Sequence, residues 1–600
     1  MRLATCFLLG ICVFLFTPDI LQADELSSVD ELAQGRRIYL DGILPSGAPL
    51  TGVRFGNTLV SGASAACASC HRRSGMGSVE GDIQVPPITG NFLFSPSGDQ
   101  HLATMDPRVS KRFNQAHEPY TDESLSNAIL HGANNRGREM SVLMPRYNLT
   151  QSELKALTVY LKQLSLHWSP GVTEDTIRFA MVVTPDVDPA RRKSLIEMVR
   201  IAFNQKNGST MTAKRSGGKR QHMVSAAEMV LGTERNWQLD VWELQGAPES
   251  WGEQLTTRYR SQPVFALVSG LSNSTWQPVH EFCEQEQVPC WFPSVALPVM
   301  TESPYSLYFS RGVILEAEVL ARYLLSQKSS PKHLVQVFRD NEEGRAASQA
   351  LTHALVGSTV AIENRILKSD GSAADSLPSE LNTIQSGDAV MLWLRADDIA
   401  ALDRSKPVSG AKYYFSAELG QAEHAPFTAA WKASARLVYP YELPGMREAN
   451  LAYFRAWLNI RKLPLVDEVM QSEVFFALNF LTDTISEMLN NLYRDYLIER
   501  AESMINKREG GKAEQETRDR VALGQAGELE RKHGEKTVDE GARIQITNQS
   551  GIANKSHGTT IYPHLSLGPG QRFASKGGYI VRFDESENDK LIAESAWIIP

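Results

Sequence analysis

Two hydrophobic rhythms divide this chain. In its early part, apolar positions recur at helical spacing. Within Asp30–Tyr39, Leu32, Gly35 and Tyr39 share one face, and Ser27 or Ser28 is placed to cap the helix. Thr121-Asp122-Glu123-Ser124 opens a short helix through Leu130 that Gly132 stops. Thr150-Gln151-Ser152-Glu153 is a capping-box pattern, and it leads into a face made of Leu154, Leu157, Tyr160, Leu161 and Leu164. Between the first helix and the other two lie Gly- and Pro-rich loops through Pro86-Pro87 and Pro96, with little periodicity.

The rhythm changes after Trp168-Ser169-Pro170-Gly171, which reads as a linker. Near-continuous apolar runs now alternate with helical stretches. Strands are predicted at 177–183, 239–244, 263–269 and 288–292, with helices at 189–204, 251–259 and 276–285. A second series has strands at 334–338, 389–394, 413–416 and 436–439, with a helix at 345–355. Buried strands alternating with helices imply parallel sheets covered on both faces, and two series imply two lobes. Residues from about 500 to 543 are dense in both charge signs and read as a solvated insertion. Strand-like pieces at 543–547, 559–562 and 579–583 close the chain. The expected fold class is therefore multidomain, an all-α domain followed by a two-lobed α/β domain. The expected boundaries are 1–23, a leader; 24–166, the helical domain; 167–175, a linker; and 176–600, the α/β domain.

The leader reading comes from Arg2, an apolar run from Leu3 to Phe16, Pro18, and a small-residue cleavage site at Leu21-Gln22-Ala23. That run is too short to span a bilayer, and no other segment reaches about 18 uninterrupted apolar residues, so a mature protein without a transmembrane span is expected. A net charge of −8 over 600 residues argues against a nucleic-acid partner.

The chemistry is concentrated in Cys67-Ala68-Ser69-Cys70-His71. Cys-x-x-Cys-His is the attachment signature of c-type haem: the thiols form thioethers, and the histidine is placed to ligate iron. With 6 Cys and 13 His, chance placement yields the motif in roughly one such chain per thousand. A structural zinc site would need a second pair at similar spacing, and Cys283 and Cys290 do not supply it. Haem is attached outside the bacterial cytoplasmic membrane, so motif and leader agree on a periplasmic protein. In that compartment Cys283 and Cys290 could close a short disulfide loop or remain buried thiols.

With Met144-Pro145 between the last two helices, residues 24–166 resemble the class I cytochromes c. They share the Gly-and-aromatic first helix, the Cys-x-x-Cys-His run, a Met-Pro loop and a final helix carrying a Tyr-Leu pair. The resemblance implies one covalently bound haem c on Cys67 and Cys70, with His71 and Met144 as iron ligands. Met140 and His131 remain rival distal ligands, and Met76 lacks the following proline. Gly35 would permit a close helix crossing near Tyr160, and Arg146 and Tyr147 would be placed to hydrogen-bond a propionate. Two protein ligands would leave outer-sphere electron transfer as the reaction, with a dehydrogenase or a terminal oxidase chain as redox partner.

Residues 176–600 resemble the type I periplasmic binding proteins, the class that includes branched-chain amino-acid receptors. The echo lies in 264–270, then Ser272-Asn273-Ser274-Thr275 opening a helix, then 289–294. The resemblance implies a small-molecule solute held by Ser272, Ser274, Thr275 and Ser294 at a helix N-terminus. No acid stands out to receive an ammonium group. The expected protein is a non-enzymatic electron carrier fused to a solute-binding domain. Two other roles stay open: a transport or sensory receptor whose haem reports redox state, and an electron-accepting subunit of a periplasmic dehydrogenase.

Overall fold

The computed structural model describes residues 19–80, 83–96, 118–216, 234–301, 303–368, 373–421, 423–506, 560–584 and 590–600. These divide into two compact units, Met1–His167 and Trp168–Pro600. The leader up to residue 18, the charged stretch from 507 onward and the strand expected at 543–547 lie outside the described residues.

The first unit is built on the crossing of its terminal helices, Asp19–Asp41 and Gln151–Gln163. A Cβ at Gly35 would stand 2.0 Å from the carbonyl oxygen of Ala156 and 2.8 Å from Cβ of Tyr160, so only glycine allows this approach. The Tyr39 and Tyr160 rings pack beside it, 5.2 Å apart. The first helix runs back to Asp19 instead of starting at a cap on Ser27 or Ser28, because nothing between Asp19 and Ser28 breaks it. The helix Asp122–His131 ends as expected on Gly132 in the left-handed conformation. Thr150 and Glu153 complete the capping box that starts the last helix. Beyond the expected helices, Thr51–Arg54 pairs antiparallel with Thr58–Ser61 on one side and Arg146–Tyr147 on the other. Ile38, Tyr39, Leu125, Leu157 and Leu161 are among the residues filling the core.

The second unit carries two seven-stranded sheets. The first is wholly parallel. Its strand Thr176–Val183 lies between Asn236–Glu243 and Ala266–Val268, and the sheet continues through Cys290–Trp291 to Ser306–Leu307. In the second, five parallel strands run in the order Ala361–Leu367, His333–Arg339, Ala389–Trp393, Lys412–Ser416, Ala435–Tyr439. Two antiparallel strands, Tyr579–Asp584 and Lys590–Ala593, finish it. The chain crosses from the first sheet to the second through 308–312. It returns to pack the helix Glu468–Met488 against Pro189–Ser216 and Ser294–Val295. That helix is buried nearly all round, which suits an element wedged inside the molecule.

The stretch expected to be a linker is packed. Trp168 donates from Nε1 to the Asn490 carbonyl at 2.9 Å and lies under the Arg235 guanidinium, and a Cβ at Gly171 would meet the Phe265 backbone at 2.2 Å. Residues 560–562, expected as strand, are buried but form none. Arg494 fastens the same region, donating to the carbonyls of Val264, Phe265, Pro170, Glu286 and Gln287 and to the Tyr259 hydroxyl. Among the described residues no helix is long and apolar enough to cross a membrane.

Candidate haem crevice and interlobe cavity

In the first unit Cys67 caps a single helical turn, Ala68–His71, so both thiols and the imidazole arise from one rigid corner. His71 is buried, and its Nδ1 lies 2.9 Å from the Pro86 carbonyl. That bond assigns the proton to Nδ1 and leaves Nε2 as the ligating nitrogen. Burial also holds the imidazole's pKa below its ordinary value, which favours the neutral, ligand-competent form. Cys67 and Cys70 are free thiols rather than a disulfide.

The Met-Pro loop is tied to this corner by the backbone. Gly52 and Val53 pair with Tyr147 and Arg146, and the buried Tyr147 hydroxyl donates to the Ala65 carbonyl at 2.9 Å. Arg146 donates from Nη1 to the Met144 carbonyl at 2.7 Å. The Tyr147 hydroxyl proton is thereby spent, which departs from its expected role as a propionate donor, while Arg146 keeps its other N–H donors. The nearer candidate is Arg54. Its Nη2 approaches Cys70 Sγ at 3.9 Å, and its buried Nε has no acceptor among the described residues. An unpaired buried donor beside two free thiols and an available imidazole nitrogen fits a haem with its acidic edge groups.

Of the rival ligands, His131 is exposed at the end of its helix, whereas Met144 and Met140 are half-buried. Met76 lies in the loop that returns to His71, where Gly77 N donates to the His71 carbonyl at 3.0 Å.

In the second unit, Ser272, Ser274 and Thr275 share one turn, and Ser294 opens the strand that pairs in parallel beside Leu271–Ser272. Ser272 is buried. Its Oγ donates to the Thr275 carbonyl and accepts from Thr184 Oγ1 and Ser274 N. Thr275 Oγ1 caps Gln277 N. The turn they form is bridged from the other lobe by Arg395, which donates to the Asn273 carbonyl at 2.9 Å and pairs with Glu343. Ser294 is half-buried, and its amide donates to the Gly270 carbonyl at 3.0 Å.

What the lobes enclose instead is a cavity of about 10 Å³ lined by Pro293, Val295, Pro298, Tyr308, Phe309, Ser310, Glu418, Glu473 and Tyr562. Glu418 follows the strand Lys412–Ser416, and Glu473 projects from the crossing helix. Burial pushes each carboxyl up to about 8. Tyr441 donates to Glu418 Oε2 at 2.9 Å and Tyr562 to Glu473 Oε1 at 2.5 Å. Glu316, also pushed up to about 8 by burial, serves the scaffold instead, accepting from Ser416 Oγ and from the amides of Ala417 and Glu418. Neither acid of the cavity is marked by a motif. The one trace in the sequence is Glu473 inside the apolar run 469–481.

Cys283 and Cys290, expected as a disulfide or as buried thiols, are the latter: both are fully buried and free, with the two side chains in hydrogen-bonding contact. Among the described residues no group of three or more His, Cys, Asp or Glu is arranged to hold a metal ion.

Residues 56–165 match the family model of cytochrome c, so this stretch is a cytochrome c domain, and the family implies a haem iron. The chain is similar in structure to a fatty acid ABC transporter substrate-binding protein from Thermomonospora curvata, at 14% identity, 72% of this chain, 95% of that one and a TM-score of 0.46. It is similar to an ABC transporter substrate-binding protein of Aeropyrum pernix at 11% identity, covering 71% and 96% with a TM-score of 0.47. A substrate-binding periplasmic protein from Ralstonia solanacearum gives 14%, 70% and 100%, with a TM-score of 0.44. No curated protein matches the sequence.

Proposed function

We propose that this chain is an exported monohaem electron carrier joined to a module that binds a small solute between two lobes. The observation that carries the first half is the His71 arrangement. Its Nδ1 is committed to the Pro86 carbonyl, and it shares one helical turn with the two free thiols of Cys67 and Cys70. In this reading Cys67 and Cys70 attach one haem c covalently, His71 ligates from one side and Met144 from the other. Haem bound there supplies a reversible one-electron change at iron. The protein's own part is to fix the imidazole tautomer, to hold the Met144 loop through Arg146 and Tyr147, and to cover the site with the core around Leu125 and Leu157.

The solute-binding half rests on the small polar cavity at the boundary of two mostly parallel sheets, with lining residues from both lobes and from the crossing segments. Periplasmic residence rests on the apolar leader and on the compartment in which haem is attached. The chain would exchange electrons with a redox partner such as a dehydrogenase or a terminal oxidase chain.

The test is periplasmic expression followed by unfolding in acid and acetone, which extracts non-covalent haem. Retention of one haem per chain in wild type, and loss of it on replacing Cys67 and Cys70 by Ser, is the expected result. A chain that never acquires haem would refute the reading.

A further inference from the structure

We propose that the interlobe cavity selects a small primary ammonium ion with no carboxylate of its own, seated between Glu418 and Glu473. The proposal rests on the reading that the second unit binds a solute, and it names that solute's class.

The size sets the first limit. A cavity of about 10 Å³ has room for one water-sized group, and an –NH₃⁺ head is such a group, so the carbon tail of the ion would lie outside it. The lining sets the second. Glu418 Oε1 receives no hydrogen bond from any described residue, while Oε2 is held by Tyr441. Glu473 is held by Tyr562 at Oε1, which leaves remaining acceptor capacity on a carboxylate that can take about four bonds. Ser310, Tyr562 and the two carboxyls are thus an acceptor-rich wall, suited to three N–H donors converging from one nitrogen.

Charge points the same way. Glu418 is faced by the carboxyls of Glu316 and Asp467, with Arg191 as a cation acting on it. Glu473 is faced by Glu418 and Asp467. Arg191 is itself engaged by Asp467 at 2.9 Å. Buried carboxyls without a matching cation must take up protons or be neutralised by a cation from outside. A carboxylate ligand would meet two acids here. The Ser272 hydroxyl, which could have received it, donates inside its own turn.

The experiment is calorimetric titration of the full-length protein at pH 7.5 with ethylammonium chloride, sodium propionate, glycine and 1-propanol, in buffers of differing ionisation enthalpy. Ethylammonium should bind with release of protons as the carboxyls ionise around it, and the other three should not. Glu418→Gln and Glu473→Gln, which keep the shape of a protonated acid, should each weaken ethylammonium binding by about tenfold or more while preserving the cooperative melt. Binding of propionate or glycine in preference to ethylammonium would overturn the ligand class and leave solute binding standing. Ethylammonium binding unchanged in both variants would overturn the location. No binding by any of the four probes would overturn this inference, and equal failure of a broad solute panel would take the solute-binding reading with it.

Discussion

Arg146 holds the carbonyl of Met144 at 2.7 Å with a guanidinium that lies in the space a side chain on Gly132 would need; a Cβ there would stand 1.9 Å from its Cζ. Helix end, clamp and methionine form one unit, since Gly132 is also the left-handed residue that stops the helix Asp122–His131.

Arg146→Ala should therefore loosen the methionine without removing it. The expected outcome is a thioether-to-iron band that disappears at lower temperature and lower denaturant than in wild type, with a fall in potential. Arg146→Lys should restore little, because a point charge cannot reproduce the planar fork. Variable-temperature absorption of the oxidised protein checks both.

Gly35→Ala places a methyl group 2.0 Å from the Ala156 carbonyl oxygen. The two terminal helices must move apart, at a cost of about 1–3 kcal/mol to the haem domain. Denaturant titration followed at the haem band should show the midpoint falling with little change in slope.

Arg494→Ala leaves five carbonyls and a tyrosine hydroxyl without their donor in a buried setting. A loss of about 3 kcal/mol or more is expected, in the second unit only. Calorimetry should show that unit's transition falling while the haem-domain transition holds.

Stability should fall as pH rises from 6.5 to 8. Glu316, Glu418 and Glu473 are held up to about 8 by burial, far above an unfolded glutamate at about 4.3, so in this window the native state holds more protons than the unfolded chain. Each such group contributes up to about 1.4 kcal/mol per pH unit, levelling off above its folded value. His280, lowered by burial, acts in the opposite direction but below about 6.5. Replacing both Glu418 and Glu473 by Gln should flatten the melting temperature across this range. A slope that the double variant leaves unchanged would contradict the assignment.

Much of this architecture is legible in the sequence where a local rule decides it. The cysteine-histidine turn, the Thr150–Glu153 cap, the Gly132 stop and the buried strands Ala389–Trp393 and 413–416 all announce themselves through their own residues. The strand Ala361–Leu367 does not. It sits at a sheet edge, mostly exposed, and its Glu363, Asn364 and Arg365 carry no strand signal. The helices Val313–Ser326 and Glu468–Met488 are buried on nearly every face, so they lack the polar stripe that makes a helix readable. The cavity is the least legible feature. Glu418 and Glu473 meet only because the chain crosses between its lobes, and nothing local distinguishes Glu418 from a surface glutamate.

The central claim is an electron-transfer haem held by His71 and Met144. Its most direct test is the optical spectrum of the full-length oxidised and reduced protein, wild type beside Met144→Ala. A low-spin c-type spectrum with a thioether-to-iron charge-transfer band, abolished in the variant together with a lowered potential, is the predicted result. A band that survives in Met144→Ala would transfer the ligand role to another methionine, and a wild-type spectrum without the band would contradict methionine ligation altogether.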